Sequence, residues 1–338
     1  MDGFCSGLIY LIFNYEFIIF TSNSIKKIDS ILRGSIFFYF CKKKGDNLKM
    51  EGHKDKFIEL EKVIGSKNPR LLKALPNFVL NYLKRVIHQD KINDFIDRNG
   101  HLRNVDFVEA VFTEFGAIAH VKGLEHVPAT GGCIIAANHP MGAVDAMGLM
   151  KMVGQKRTDM RFFVNDILLN LTNFGELFVG VNKHGKNPKE NLRMMDDIFA
   201  SDNCVLFFPA GLVSRRQNGI VRDLEWQKSF IGKAIQYKKP IIPTYIGGQN
   251  SNFFYNLANW RKRLGVKANI EMLYLVDEMY QQKGKTIDYV FGEPIGPSVF
   301  SREKSQIEWA QMMKDYVYEL GNGATYSFSE MNQKSTLS

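Results

Sequence analysis

Residues 134–149 read IIAANHPMGAVDAMGL, and their grammar sets the fold class. A short apolar run stops at Asn138 and His139, a Pro-x-Gly turn follows, and helical spacing of apolar residues begins with Asp145 in its first turn. A strand apolar on both faces belongs in a parallel sheet covered by helices. At the carboxyl end of such a strand, helix N-termini and loop amides converge, so ligands and reacting groups gather there. His139 therefore stands where an active-site residue would stand. Asp145 could hydrogen-bond one ring nitrogen while the other takes a proton from an attacking hydroxyl. A substrate that brings its own hydroxyl needs no protein nucleophile. Taken alone, however, a His-to-Asp spacing more often means a turn-capping histidine and an aspartate favoured by the helix macrodipole.

The flanking segments extend the same pattern. Short apolar runs at 117–121, 132–137, 161–164, 177–181, 204–208, 240–246, 269–275 and 286–291 predict strands. Helical patterns at 143–153, 188–201, 223–237 and 253–264 lie between several of them. This alternation predicts an α/β fold, with a mostly parallel or mixed central sheet flanked by helices, over residues 116–300. Upstream, an N-terminal helical segment spans 50–115. It carries Leu71, Leu72, Leu75, Phe78, Val79, Tyr82, Leu83, Val86 and Ile87 at spacings of three and four, with Pro76 marking a kink or a fresh start. Val105, Val108, Val111, Phe112 and Phe115 read as core positions of a second helix. Downstream, 301–338 predicts a helix at about 302–320 and then a disordered polar tail.

The first 49 residues differ in composition, being rich in Phe, Ile, Lys, Asn and Tyr without proline or a clear period. Those are residues of AT-rich codons, which suggests translated upstream DNA with Met50 as the start. The competing expectation is a hydrophobic anchor, FIIF and SIFFYF followed by Lys42, Lys43 and Lys44, that touches a membrane without crossing it. N-terminal sequencing of the native protein separates the two.

With 338 residues, 45% hydrophobic and 23% charged, the chain can bury a substantial core and shows no fibrous or disordered bias. A net charge of +9 calls for an anionic partner, such as nucleic acid, an anionic membrane or an acidic small molecule. Cys5, Cys41, Cys133 and Cys204 form no C-x-x-C spacing, and a reducing cytosol fits them best. The basic residues are scattered and no zinc, helix-turn-helix or RNA-binding signature accompanies them, so nucleic acid is not expected as a partner. A basic face at Lys67, Arg70, Lys73, Lys84 and Arg85, and the segment FFYNLANWRKR at 253–263, could instead meet a membrane surface.

Four blocks in order carry a resemblance. VKGLEHVPATGGCIIAANH runs into the His139 motif, GELFVGVNK follows at 175–183, FFPAGLVSRR at 207–216 and IIPTYIGG at 241–248. Together they resemble the glycerolipid (lysophospholipid) acyltransferase superfamily over about residues 116–300. Five residues separate His139 from Asp145 where the common pattern has four, and the NHPxG form resembles the branch labelled hemolysin-like or ornithine- and glycine-lipid acyltransferases. Gly142 could absorb the extra residue. Ala210 and Val213 replace the usual glutamate and arginine associated with a glycerol-phosphate acceptor, and Val181 replaces another arginine, leaving Lys183 as a substitute.

The resemblance implies transfer of a fatty acyl group from the thioester of acyl carrier protein or CoA to a lysolipid hydroxyl, with His139 and Asp145 catalytic. It implies no metal and no bound cofactor. Asn138, Gly142, Pro209, Gly211, Ser214, Arg215 and Arg216 are the expected substrate-binding positions. Arg215 and Arg216 could grip an anionic head group, and backbone amides around Gly142 or Gly211 could serve the tetrahedral oxyanion. A lyso-amino-acid lipid is favoured, with 1-acylglycerol-3-phosphate as the alternative acceptor. The expected location is peripheral, on the cytoplasmic face of the inner membrane. A non-catalytic, hemolysin-like membrane-binding protein is the competing class.

Overall fold

A computed structural model describes residues 56–164, 171–180, 188–266 and 269–337. The 1–49 extension, Cys5, Cys41, Val181 and Lys183 lie outside these. Among the described residues, nine strands form the scaffold: β1 Ile118–Lys122, β2 Cys133–Ala137, β3 Met160–Val164, β4 Phe178–Gly180, β5 Cys204–Phe207, β6 Arg215–Gln217, β7 Ile220–Arg222, β8 Ile241–Ile246 and β9 Thr286–Phe291. Seven of them make one mixed sheet in the order β1-β9-β8-β2-β5-β3-β4. The run from β8 to β4 is parallel; β9 opposes β8, and β1 follows β9.

The apolar run of β2 is buried on both sides because helices cover both faces. Cys133, Ile135 and Ala137 point into one layer, built on α5 Asn104–Phe115 and α6 Ala143–Gly154, with Phe107, Val108, Phe112, Val144 and Leu149. Ile134 and Ala136 point into the other, built on α8 Ser229–Tyr237 and α11 Gln306–Gly321, with Trp226, Phe230, Trp309 and Met313. Each such aromatic side chain contributes about 1.5–3 kcal/mol by leaving water. Gly148 lets α6 lie close on β9, since a Cβ there would stand 1.8 Å from the Tyr289 hydroxyl. Cys133 and Cys204 face each other in register as free thiols.

The N-terminal segment forms α1 Leu60–Lys67, α2 Pro69–Ala74, α3 Asn77–Val86 and α4 Gln89–Asn99. Asn68 caps α2 by accepting from the Leu71 amide at 3.0 Å, and Pro76 starts α3. Leu75, Leu80, Leu83 and Ile87 pack inward against Ile58, Leu60 and Leu273. Phe78 and Tyr82, counted in the apolar pattern, point outward.

Three expectations need correction, and one hairpin was not foreseen. The helix expected at 223–237 begins only at Ser229, because Asp223 and Trp226 are drawn into the interior. Residues 269–275, expected as a strand, form a 3₁₀ turn at Ile270–Tyr274 that leads into α10 Leu275–Tyr280. The turn places Glu271 between Arg215 and Arg261 while Met272 and Leu273 still go inward. An antiparallel β6–β7 hairpin turns on Asn218 and Gly219, both at positive φ, as a tight Asn-Gly turn requires. The C-terminal tail contains α12 Phe328–Leu337. Ser327 and Glu330 cap it reciprocally, and Phe328 is buried against Trp309 and Tyr316.

Candidate active site

His139 leaves β2 at the carboxyl edge of the parallel strands. Just before it, the Asn138 carboxamide continues the β2–β8 ladder: its Nδ2 donates to the Ile246 carbonyl at 2.8 Å, and its Oδ1 accepts from the Ile246 amide at 2.7 Å. Asn138 is thus a buried clamp between strand ends and not a group facing substrate, contrary to expectation.

Beyond His139 the chain turns through Gly142, whose φ of 108° and ψ of −130° suit only glycine. This turn starts α6 and brings Asp145 back toward the histidine. Asp145 is fully buried, and its Oδ2 accepts from the Met141 and Gly142 amides at 2.8 and 2.9 Å. The same oxygen lies 3.0 Å from His139 Nδ1, at contact distance but off the line of a straight N–H···O bond. Such contacts tighten when substrate binds. Oδ1 of Asp145 is buried with no hydrogen-bond partner among the described residues. The imidazole stacks on Phe208 with centroids 4.1 Å apart and 16° between planes, and Phe162 meets Phe208 edge-on at 5.2 Å. The side chain of His139 is 17% exposed, so an incoming molecule can reach it.

The main chain of His139 is held just as firmly. Its carbonyl accepts from the Ser214 amide at 2.7 Å, and its N–H points at both oxygens of Asp223 at 3.2 Å. Asp223 also accepts from Ser214 Oγ at 2.6 Å and Trp226 Nε1 at 2.9 Å. Its own amide donates to the Tyr318 hydroxyl at 2.8 Å. Burial raises the Asp223 carboxyl above the ordinary carboxylate range, partly offset by the Ser214 and Trp226 donors and by His139. The sequence reading overlooked Asp223, placing it at the head of a helix. Its one local signal was Asp-x-x-Trp, an acceptor and an indole donor three residues apart.

The 207–216 block divides. The Pro209 carbonyl accepts from the Gln227 amide at 3.0 Å, and Gly211, at φ 66°, donates back to the Phe208 carbonyl at 3.0 Å. The amides of Gly142 and Gly211 themselves are therefore engaged within the protein, which leaves neighbouring amides of these turns for an oxyanion. Ser214 is occupied by Asp223 and the His139 carbonyl. Arg215 turns inward: its guanidinium bonds the Val213 carbonyl at 2.9 Å and reaches Glu271 at 3.4 Å. Arg261 also grips Glu271, at 2.8 and 3.1 Å. Arg215 is consequently committed to a buried ion triad and not to a head group. Arg216 faces outward, bonded to Asn252 Oδ1 at 2.5 Å, with its guanidinium 5.0 Å from the centre of the Tyr255 ring. Burial pushes the Tyr255 phenol up to about 12, so it stays neutral.

A family model described as Acyltransferase matches residues 62–325. The lyso-glycine lipid O-acyltransferase of Bacteroides thetaiotaomicron is 44% identical over 264 residues, which cover 78% of this chain and 97% of that protein. The protein of the same name from Phocaeicola vulgatus is 42% identical over 264 residues, covering 78% and 95%. Among solved structures, the 1-acyl-sn-glycerophosphate acyltransferase from Thermotoga maritima superposes with a TM-score of 0.42 at 18% identity, over 74% of this chain and 90% of that one. That likeness is too distant to bear on the chemistry.

Proposed function

Because this chain belongs to the acyltransferase family, and its site pairs a histidine with a buried carboxylate, we propose that it O-acylates a lyso-glycine lipid. The observation that carries the reading is the His139–Asp145 contact on the rim of β2, in a chain 44% identical to a protein named for that reaction. Glycine offers an amine and a carboxyl but no hydroxyl, so the alcohol to be acylated sits on the lipid's own fatty chain. That alcohol gives its proton to Nε2 of His139 as its oxygen forms a bond to the thioester carbonyl carbon. The tetrahedral adduct collapses, the carbon–sulfur bond breaks, and the imidazolium returns the proton to the departing thiolate. Asp145 keeps the ring oriented and stabilises its cationic form.

Glycine joined through nitrogen keeps a free carboxylate, and Arg216 is the outward-facing cation of the 207–216 block available to meet it. Ala210 and Val213 disfavour lysophosphatidate. Incubation with acyl carrier protein and CoA thioesters and a panel of lysolipids, read by mass spectrometry, tests the assignment. Transfer to lyso-glycine lipid at least about tenfold faster than to lysophosphatidate is the expected result, a difference of about 1.4 kcal/mol. Equal rates, or a preference for lysophosphatidate, would remove the proposed acceptor.

The same reading places the protein peripherally, on the cytoplasmic face of the inner membrane. Of the eight exposed large apolar side chains among the described residues, five lie on two helices: Phe78 and Tyr82 on α3, and Phe253, Trp260 and Leu264 on or just after α9 Asn252–Arg263. Tyr274 links them, its hydroxyl 2.8 Å from that of Tyr82 and its ring edge-on to Phe253 at 4.9 Å. Exposed Arg85, Lys262 and Arg263 belong to the same two helices, and exposed Arg70 and Lys73 lie on the preceding α2. Aromatic rings at headgroup depth and cations against anionic lipid suit such a surface. No helix among the described residues is long and apolar enough to cross a membrane. Phe78→Ser combined with Trp260→Ser is expected to cut co-sedimentation with anionic vesicles about tenfold or more, since each buried ring contributes about 1.5–3 kcal/mol. Unchanged sedimentation would exclude this face.

A further inference from the structure

Beside the His139–Asp145 pair sits a second buried carboxylate that proton transfer does not require. Removing a carboxylate from water costs several kcal/mol unless donors or cations compensate. Asp223 is compensated by neutral donors: the His139 amide, the Ser214 hydroxyl and the Trp226 indole N–H. No lysine or arginine pairs with it among the described residues. The neighbouring Arg222 instead covers the Tyr318 ring at 4.3 Å and bonds Asp315 at 3.0 Å. A carboxamide would offer one acceptor oxygen where these donors use two, so the carboxylate serves the fold as well as any cation formed beside it.

The location gives the charge a use. Its two oxygens converge on the main chain of the histidine that must become a cation during reaction. Among the described residues, the groups in contact with that histidine include Asp145 from α6, the uncharged Phe208 ring, Ser214 and Asp223. Around Asp223 the further titratable group in contact is the Tyr318 phenol of α11, kept neutral by burial.

We propose that Asp223 is a positioning residue for acyl transfer: it fixes the His139 backbone at the rim and, with Asp145, stabilises the imidazolium from a second side. The chemistry rests on the acyltransferase reading above, but the electrostatic part does not depend on it. A misplacement of about 1 Å costs on the order of 10²-fold in rate. Asp223→Asn should therefore lower kcat about 10- to 100-fold with KM within about twofold. Loss of a nearby negative charge also makes the imidazolium less favourable. The acid limb of the pH profile of kcat/KM should accordingly move to lower pH. A merely structural role would lower the melting temperature and leave that limb in place.

A second measurement on the unaltered protein guards against a variant that does not fold. With carbon-13 in the aspartate carboxyls and no substrate present, the Asp223 signal should show a step at the pH where the His139 ring titrates, because coupled sites report each other. An Asp223 signal without that step, or an Asp223→Asn enzyme with kcat within twofold and an unmoved acid limb, overturns the proposal. If the unaltered protein acylates no lysolipid, the acyltransferase chemistry falls separately, and the substrate-free experiment still decides the coupling.

Discussion

His139→Ala is expected to reduce kcat/KM for acyl transfer by at least about 10³-fold, the upper part of the range for a lost general base, while the protein stays folded. The backbone contacts that build the rim, from the Ser214 amide to the His139 carbonyl and from the His139 amide to Asp223, do not involve the ring. What the fold loses is the stack on Phe208, about 0.5–1.5 kcal/mol, and the ring nitrogen beside Asp145, whose Oδ2 keeps its two backbone donors. Activity and stability should therefore separate cleanly. Product formation by mass spectrometry and unfolding in urea measure the two. An alanine variant that retained near-normal transfer would mean that another group takes the alcohol's proton.

Asp145→Asn should impair both. In the native turn one carboxylate oxygen receives three approaches: two backbone amides and the imidazole nitrogen. A carboxamide oxygen can still accept from the amides, but it carries no charge to stabilise an imidazolium. Its NH2 must also replace Oδ1 in a site where that oxygen has no partner. The rate is expected to fall about 10²- to 10⁴-fold, as when an orienting aspartate is neutralised in other histidine-based sites. Stability should drop by about 1–3 kcal/mol, the usual cost of a badly matched buried polar group. Kinetics alongside chemical denaturation check both numbers. Wild-type rate in a folded variant would make Asp145 a turn residue only.

How much of this was legible depends on the range of the forces involved. The strands and helices around β2 could be read because contiguous burial leaves an unbroken apolar run, and the helix after it follows from periodicity. Its histidine and carboxylate lie within seven residues, so the pair was visible too. Asp223 was not, because it is 84 residues from His139 and the stretch DLEWQK has acceptable helical propensity. Burial of Trp226 and the donors on the carboxylate outweigh that propensity. Glu271 hid in the same way: NIEMLYL reads as a short apolar run, and its two arginine partners sit 10 and 56 residues away. Two misses were avoidable, since Asn218-Gly219 and Ser-x-x-Glu at 327–330 are local signals for a tight hairpin and a helix start.

Arg215, Glu271 and Arg261 bind three separate stretches of chain through one buried anion shared by two cations. Losing the acid alone would leave two like charges confronting each other out of water, and losing one base would leave the other pair with altered geometry. Single steps at these positions are therefore costly, whereas replacing all three with oily residues of similar bulk could be harmless. Over evolutionary time the trio should behave as a single inherited character, retained or discarded together across descendants, even though none of its members is needed to touch a lipid.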